Sequence, residues 1–79
     1  MTRKTLDLSG LKCPLPVLHT RKALRALVAG DELEVIATDP MSALDIPNLI
    51  RETGDTLLDF SRTGDALVFI ITGPATAQD

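Results

Sequence analysis

The chain has 79 residues, 44% of them hydrophobic, 24% charged and 3% aromatic. This length holds one small domain with a modest core, and the composition lies far from that of disordered chains. The single cysteine excludes an internal disulfide, a CxxC redox pair and an all-cysteine zinc site. The longest uninterrupted apolar run, Ala66 to Ile71, is six residues, too short to span a bilayer. The start, MTRKTLDL, lacks the apolar stretch of a signal peptide, so a cytoplasmic location is expected.

The formal net charge of −3 hides an asymmetry. Residues 1–30 carry six basic side chains and one carboxylate, net +5, whereas residues 31–79 carry two basic side chains and ten carboxylates, net −8. The basic segment is either a solvated face or a docking surface for an acidic partner. An acidic chain poor in aromatics is a weak candidate for binding nucleic acid by itself.

In chain order, Lys4 to Leu8 alternates polar and apolar and reads as a strand, followed by the turn Ser9-Gly10-Leu11-Lys12. Pro14 to Ala29 reads as a helix with Val17, Thr20, Leu24, Leu27 and Val28 in one stripe and Gly30 as its stop. His19, Arg21, Lys22 and Arg25 fall outside the stripe, and Leu15 and Leu18 fall on the solvent side. Glu32 to Thr38 alternates again, with Leu33, Val35 and Ala37 on one face. Asp39-Pro40 signals a second helix, starting there or a few residues on and running to Thr53 before Gly54. Pro47 must kink that helix or confine its regular part to the far side. Thr56 to Ser61 and Ala66 to Thr72 read as a hairpin of strands joined by Arg62-Thr63-Gly64-Asp65. The ends, Met1–Arg3 and Gly73–Asp79, are expected to be loose around an ordered core at about 4–72.

The order β-α-β-α-β-β predicts a two-layer α/β sandwich. Each strand–helix–strand unit joins parallel neighbours, so both helices cover one face of a four-stranded mixed sheet. The other face carries Ile36, Val68 and Ile70 among Thr5, Glu34 and Asp59. It is either simply exposed or a partner surface.

Chemistry concentrates in Leu11-Lys12-Cys13-Pro14-Leu15-Pro16. Cys13 follows the first strand at the expected cap of the first helix, with Pro14 at the first helical position. The Leu15 amide is expected to stay free to face the sulfur. The positive end of the helix then favours a thiolate by ~0.3–1 kcal/mol, up to ~2 kcal/mol in good geometry. This predicts a lowered thiol pKa. Arg21 and Lys22 lie on the order of 12–13 Å further along the axis, where solvent screens them. Only Lys12 is adjacent. His19, roughly 9 Å up the axis, reads as a surface residue rather than a catalytic partner. A buried structural thiol is the competing reading of Cys13. Parallel strands bring Cys13 and Asp39 to one sheet edge, where open α/β sheets place ligand and catalytic groups. Asp39 is either a helix cap or a participant in proton handling.

The chain resembles the TusA/SirA family of small sulfur-carrier proteins. The resemblance is carried by Leu6-Asp7 with Gly10-Leu11, Cys13-Pro14-Leu15-Pro16, Arg21-Lys22-Ala23, Asp39-Pro40 and Asp45-Ile46-Pro47, collinear over roughly residues 5–72. It implies a fold like the C-terminal domain of translation initiation factor three, one domain over 1–79, and no cofactor or metal. It implies that Cys13 takes a sulfane sulfur from a cysteine desulfurase or rhodanese-like donor, holds it as a persulfide and passes it to an acceptor protein. The routes served in the family are tRNA thiolation, cofactor biosynthesis and sulfur oxidation. Such a protein acts in a relay rather than as a stand-alone enzyme. Pro14 and Pro16 shape the site with Lys12 and Asp39, while Leu15, Leu18, Arg21, Lys22 and Arg25 are candidates for partner contact. Two departures stand out: Leu15 replaces a frequent glutamate, and Asn48-Leu49-Ile50 stands where many members have a second cysteine. The alternatives are a thiol-based redox or regulatory module, and an interaction or RNA-associated module suggested by fold alone.

Overall fold

The strands and helices announced by the two periodicities form in the expected order. A computed structural model describes residues 3–28 and 30–73. The elements are β1 (Arg3–Leu8), α1 (Leu15–Arg25), β2 (Glu32–Ala37), α2 (Ser42–Thr53), β3 (Thr56–Thr63) and β4 (Ala66–Thr72). The four strands make one sheet in the order β1-β2-β4-β3. β1 and β2 are parallel, and β4 runs antiparallel to both β2 and β3. The first strand–helix–strand unit therefore joins neighbours, as expected. The second does not: β4 inserts between β2 and β3, so α2 must cross over two strand positions.

Alternation sorts the sheet into two faces. Leu33, Val35 and Ala37 of β2 and Leu67, Phe69 and Ile71 of β4 are buried against Leu24 of α1 and Ile46, Leu49 and Ile50 of α2. Each of these side chains larger than Ala37 contributes about 1.5–3 kcal/mol on burial. On the opposite face the register lines up Thr5, Glu34, Ile70 and Asp59 in one row and Asp7, Ile36, Val68 and Ser61 in the next. Ile36, Val68 and Ile70 are half-buried there.

The expected boundaries need correction in three places. α1 stops at Arg25, short of Ala29, and Val28 is 63% exposed. A six-residue strand spans about 20 Å, and a helix of 11 residues already covers about 16 Å. The chain must turn back there to enter β2. It does so through tighter bonds, from Ala26 N–H to the Ala23 carbonyl and from Leu27 N–H to the Leu24 carbonyl, both 3.1 Å. Gly30, at φ +94°, is a turn residue of the connection and not the cap of α1. Ala29 itself lies outside the described residues.

α2 begins at Ser42 rather than at Asp39. Asp39-Pro40-Met41 forms a lead-in turn, with Ser42 and Ala43 N–H bonded to the Asp39 and Pro40 carbonyls at 2.9 and 3.1 Å. The helix continues through Pro47, which deprives it of one donor without ending it. β3 extends to Thr63, and Thr63 pairs with Ala66 across a two-residue turn, Gly64-Asp65. Gly64 has φ +59°, and no other residue type among those described has positive φ, so this is a type II′ hairpin. β3 also carries a bulge between Leu57 and Asp59.

At the chain ends, Arg3 belongs to β1 and pairs with Glu32 at 2.7 Å, and Gly73 is buried. The rest of the expected loose ends lies outside the described residues. Among those described, no helix is long and apolar enough to cross a membrane.

Candidate functional site

The carboxyl ends of β1 and β2 lie side by side, and each is followed by a loop that leads into a helix. β1 is closed off by Asp7, whose carboxylate accepts bonds from the Ser9 hydroxyl at 2.6 Å and the Ser9 N–H at 3.0 Å. Those bonds, the hydroxyl's first, hold the Asp7 carboxyl below its ordinary pKa. Gly10, at φ +86°, then turns the chain, and Leu11 N–H bonds to the Leu8 carbonyl at 3.1 Å.

Two bonds pin this loop to the one after β2. Gly10 N–H donates to Thr38 Oγ1 at 2.8 Å, and Cys13 N–H donates to Asp39 Oδ2 at 2.6 Å. The other carboxylate oxygen of Asp39 accepts from Met41 N–H at 3.3 Å, just ahead of α2. Asp39 is 8% exposed. The expected role of Asp39 as the cap of α2 needs correction: Met41 takes that position without a side-chain cap, and Asp39 instead closes the lead-in turn and holds the backbone of Cys13. Charge-assisted bonds of this kind are about twice as strong as neutral ones.

Cys13 is exposed, so it is not a buried structural thiol. It precedes the cap residue Pro14 instead of being the cap, and the Cys13–Pro14 peptide is cis. Its thiol donates to Asp45 Oδ2 at 3.4 Å, from the first turn of α2. The expected lowered thiol pKa is overturned. The hydrogen bond to Asp45, partial desolvation and the charges of Asp45 and Asp39 all push the Cys13 pKa up. The physical reason lies in the amides. Pro14 and Pro16 have no N–H, and the Leu15 N–H expected to face the sulfur is bonded to the Lys12 carbonyl at 2.8 Å. Positions 14 to 16 at the start of α1 thus leave no free amide for an anion, while two carboxylates stand close by.

The remaining expected residues distribute around this point. Pro16 is buried at the second position of α1, and Pro14 and Lys12 are exposed. Leu15 and Leu18 are 42% and 53% exposed, on the solvent side as the helical wheel indicates. Lys22 and Arg25 are exposed in the last turn of α1, where cations also suit the helix dipole. Arg21 is half-buried and reaches Glu52 of α2 at 3.4 Å. With Pro14, Val17, Asp45 and Asn48 it lines a groove of about 290 Å³ between the helices.

Sequence reasoning missed three residues here. Asp45 was part of a motif but had no role. Met41 and Leu44, 48% and 63% exposed, add apolar surface from the turn that carries Asp45. Their offset from the Ile46, Leu49, Ile50 stripe was the available signal.

Fold and site together define a small open-faced α/β protein with one thiol displayed at the carboxyl edge of its sheet. A match to the sulfurtransferase TusA family spans residues 4–73, and the chain belongs to that family. It is 44% identical over 66 residues to the sulfur carrier protein TusA of Allochromatium vinosum, covering 84% of this chain and 87% of that one. It is 50% identical over 54 residues to the sulfur carrier protein TusA of Pseudomonas entomophila, covering 68% of each. The crystal structure of a SirA-like protein from Desulfitobacterium hafniense superposes with a TM-score of 0.78 at 24% identity, covering 94% of this chain and 99% of that one. That likeness supports the fold assignment.

Proposed function

We propose that this protein is a sulfur carrier that holds its cargo as a persulfide on Cys13, the whole chain acting as one domain. The observation that carries the reading is the exposed Cys13, anchored through its own backbone amide to Asp39 at the sheet edge. In loading, the Cys13 sulfur attacks the terminal sulfur of a persulfide on the donor. The new Sγ–S bond forms as the donor's S–S bond breaks. The donor cysteine leaves as a thiolate, and the Cys13 proton is released. Delivery is the same exchange in the other direction, with an acceptor thiolate attacking the carried sulfur. No electrons are gained or lost overall. With a single cysteine in the chain, no second thiol can divert the persulfide into an internal disulfide.

The donor is a cysteine desulfurase or a rhodanese-like protein, and the acceptor a second protein of the same cytoplasmic relay serving tRNA thiolation, cofactor biosynthesis or sulfur oxidation. Leu15, Leu18, Met41 and Leu44 form the apolar part of the docking surface around Cys13. Lys12, Arg21, Lys22 and Arg25 add its positive charge. The redox-sensing alternative needs a thiolate in the resting protein, and the carboxylates beside Cys13 oppose one.

The test is intact-protein mass after incubation with a cysteine desulfurase and free cysteine, or with a rhodanese and thiosulfate. A reductant-sensitive gain of one sulfur atom is expected in wild type and not in Cys13→Ser. Absence of the adduct with both donors would sink the carrier reading.

A further inference from the structure

The groups whose partners can be assigned around the Cys13 sulfur leave a negative balance, with Asp45 on the thiol and Asp39 on the Cys13 amide. From the loop, Lys12 is the cation next to Cys13 among the described residues; its side chain is exposed, and its carbonyl is occupied by Leu15 N–H. From α1, Pro14 and Pro16 offer no donor, and Arg21 reaches across to Glu52. From the connection after β2, Asp39 holds the Cys13 amide, and from α2 Asp45 accepts the thiol proton at 3.4 Å. The Asp39 bond holds the Cys13 backbone in place beside Asp45.

We propose that Asp45 is a positioning residue for the carrier thiol: it accepts the Sγ–H bond, keeps Cys13 protonated while the protein is alone, and so holds back nucleophilic attack until a partner disturbs the pair. The inference rests on the reading of Cys13 as the sulfur-bearing residue and deepens it. A neutral thiol is a poor nucleophile and a poor target for oxidants. An exposed sulfur therefore stays unreacted in transit. A donor cation laid against Asp45 removes the opposition to the thiolate. The proton then leaves Sγ, the thiolate attacks the donor's terminal sulfur, the donor S–S bond breaks, and the donor cysteine departs as a thiolate. Loading extends the side chain by one S–S bond, about 2.05 Å.

Asp45 also sits in the first turn of α2, where an acidic residue suits the helix dipole. A purely structural role of that kind would alter thermal stability and leave the thiol's titration unmoved. The deciding experiment is the pH profile of Cys13 alkylation by iodoacetamide in wild type, Asp45→Asn and Asp45→Glu, with the fold of each checked by circular dichroism. Asp45→Asn should move the profile to lower pH and speed alkylation at neutral pH. Each tenfold rise in thiolate fraction should yield about a threefold net gain, because intrinsic nucleophilicity falls with pKa at a Brønsted slope of about 0.4–0.5. Asp45→Glu should keep the wild-type profile. Wild type should also titrate at higher pH folded than unfolded in urea, a comparison that needs no variant. An Asp45→Asn profile coincident with wild type or moved upward, or a folded wild type titrating at or below the unfolded chain, overturns the proposal. Normal sulfur loading alongside such a result would discard this inference alone. A missing sulfur adduct with the expected titration would instead discard the carrier reading.

Discussion

Removing the Asp39 carboxylate is the most informative perturbation of the scaffold around Cys13. Asp39→Ala deletes the acceptor of the 2.6 Å bond from Cys13 N–H and of the longer bond from Met41 N–H. A hydrogen bond to a charged group contributes about 1.5–3 kcal/mol, and a donor left unpaired in a partly buried place adds to the loss. The expected cost is therefore about 2–3 kcal/mol. A chain of this length has a total stability of about 4–12 kcal/mol. A small domain loses about 4–8 °C of Tm for each kcal/mol, so a fall of about 8–24 °C is expected. Asp39→Asn keeps an acceptor oxygen but not its charge, and should cost about 1 kcal/mol. Urea unfolding of the three proteins gives the ranking. Amide hydrogen exchange at Cys13 then reports the bond itself, with protection lost in Asp39→Ala and partly kept in Asp39→Asn. An Asp39→Ala protein within about 0.5 kcal/mol of wild type, with Cys13 still protected, would refute the account of how this loop is held.

Phe69 is fully buried in the central strand β4. Phe69→Ala should cost about 3–5 kcal/mol by equilibrium unfolding, a large part of the total. A loss under about 1 kcal/mol would mean the core is packed otherwise. Leu18→Asp, at an exposed position of α1, should leave stability within about 0.5 kcal/mol of wild type while weakening binding to the sulfur donor. Unchanged affinity by calorimetry would remove this leucine from the docking surface.

The elements were legible because alternation and helical periodicity each have one solution here. Leu33, Val35 and Ala37 can share a face only in a strand, and the open-face rows through Glu34 and Ile36 follow from the same parity. The exposure of Leu15 and Leu18 was legible from the wheel alone. Strand order was less so, because alternation says which face a residue takes and nothing about which strand lies beside it. The end of α1 was hidden because the apolar spacing runs on through Leu27 and Val28 after the backbone has turned. At the site, position was readable and protonation was not. Local reasoning counted the amides at the start of α1. The Lys12 carbonyl took the one that mattered, and Asp45 arrived from 32 residues away by helix packing. The Asp45-Ile46-Pro47 motif marked the spot without stating its effect.

The free rims of the sheet have a consequence for life in a crowded solution. β1 and β3 each end the sheet with a row of unpaired backbone groups, the template on which a stray strand adds. β1 is six residues long and carries Arg3 and Lys4, charges that discourage such pairing. β3 is longer, at eight residues, and displays Leu58 and Phe60, the latter with the Arg62 guanidinium 5.5 Å above its ring. Its defence is the bulge between Leu57 and Asp59, which puts the two halves of the strand out of step with any straight partner. On this rim, protection from edge-to-edge aggregation thus rests on one surplus residue as well as on the charges of Asp59 and Arg62, and a chain that lost the bulge would depend on those charges alone.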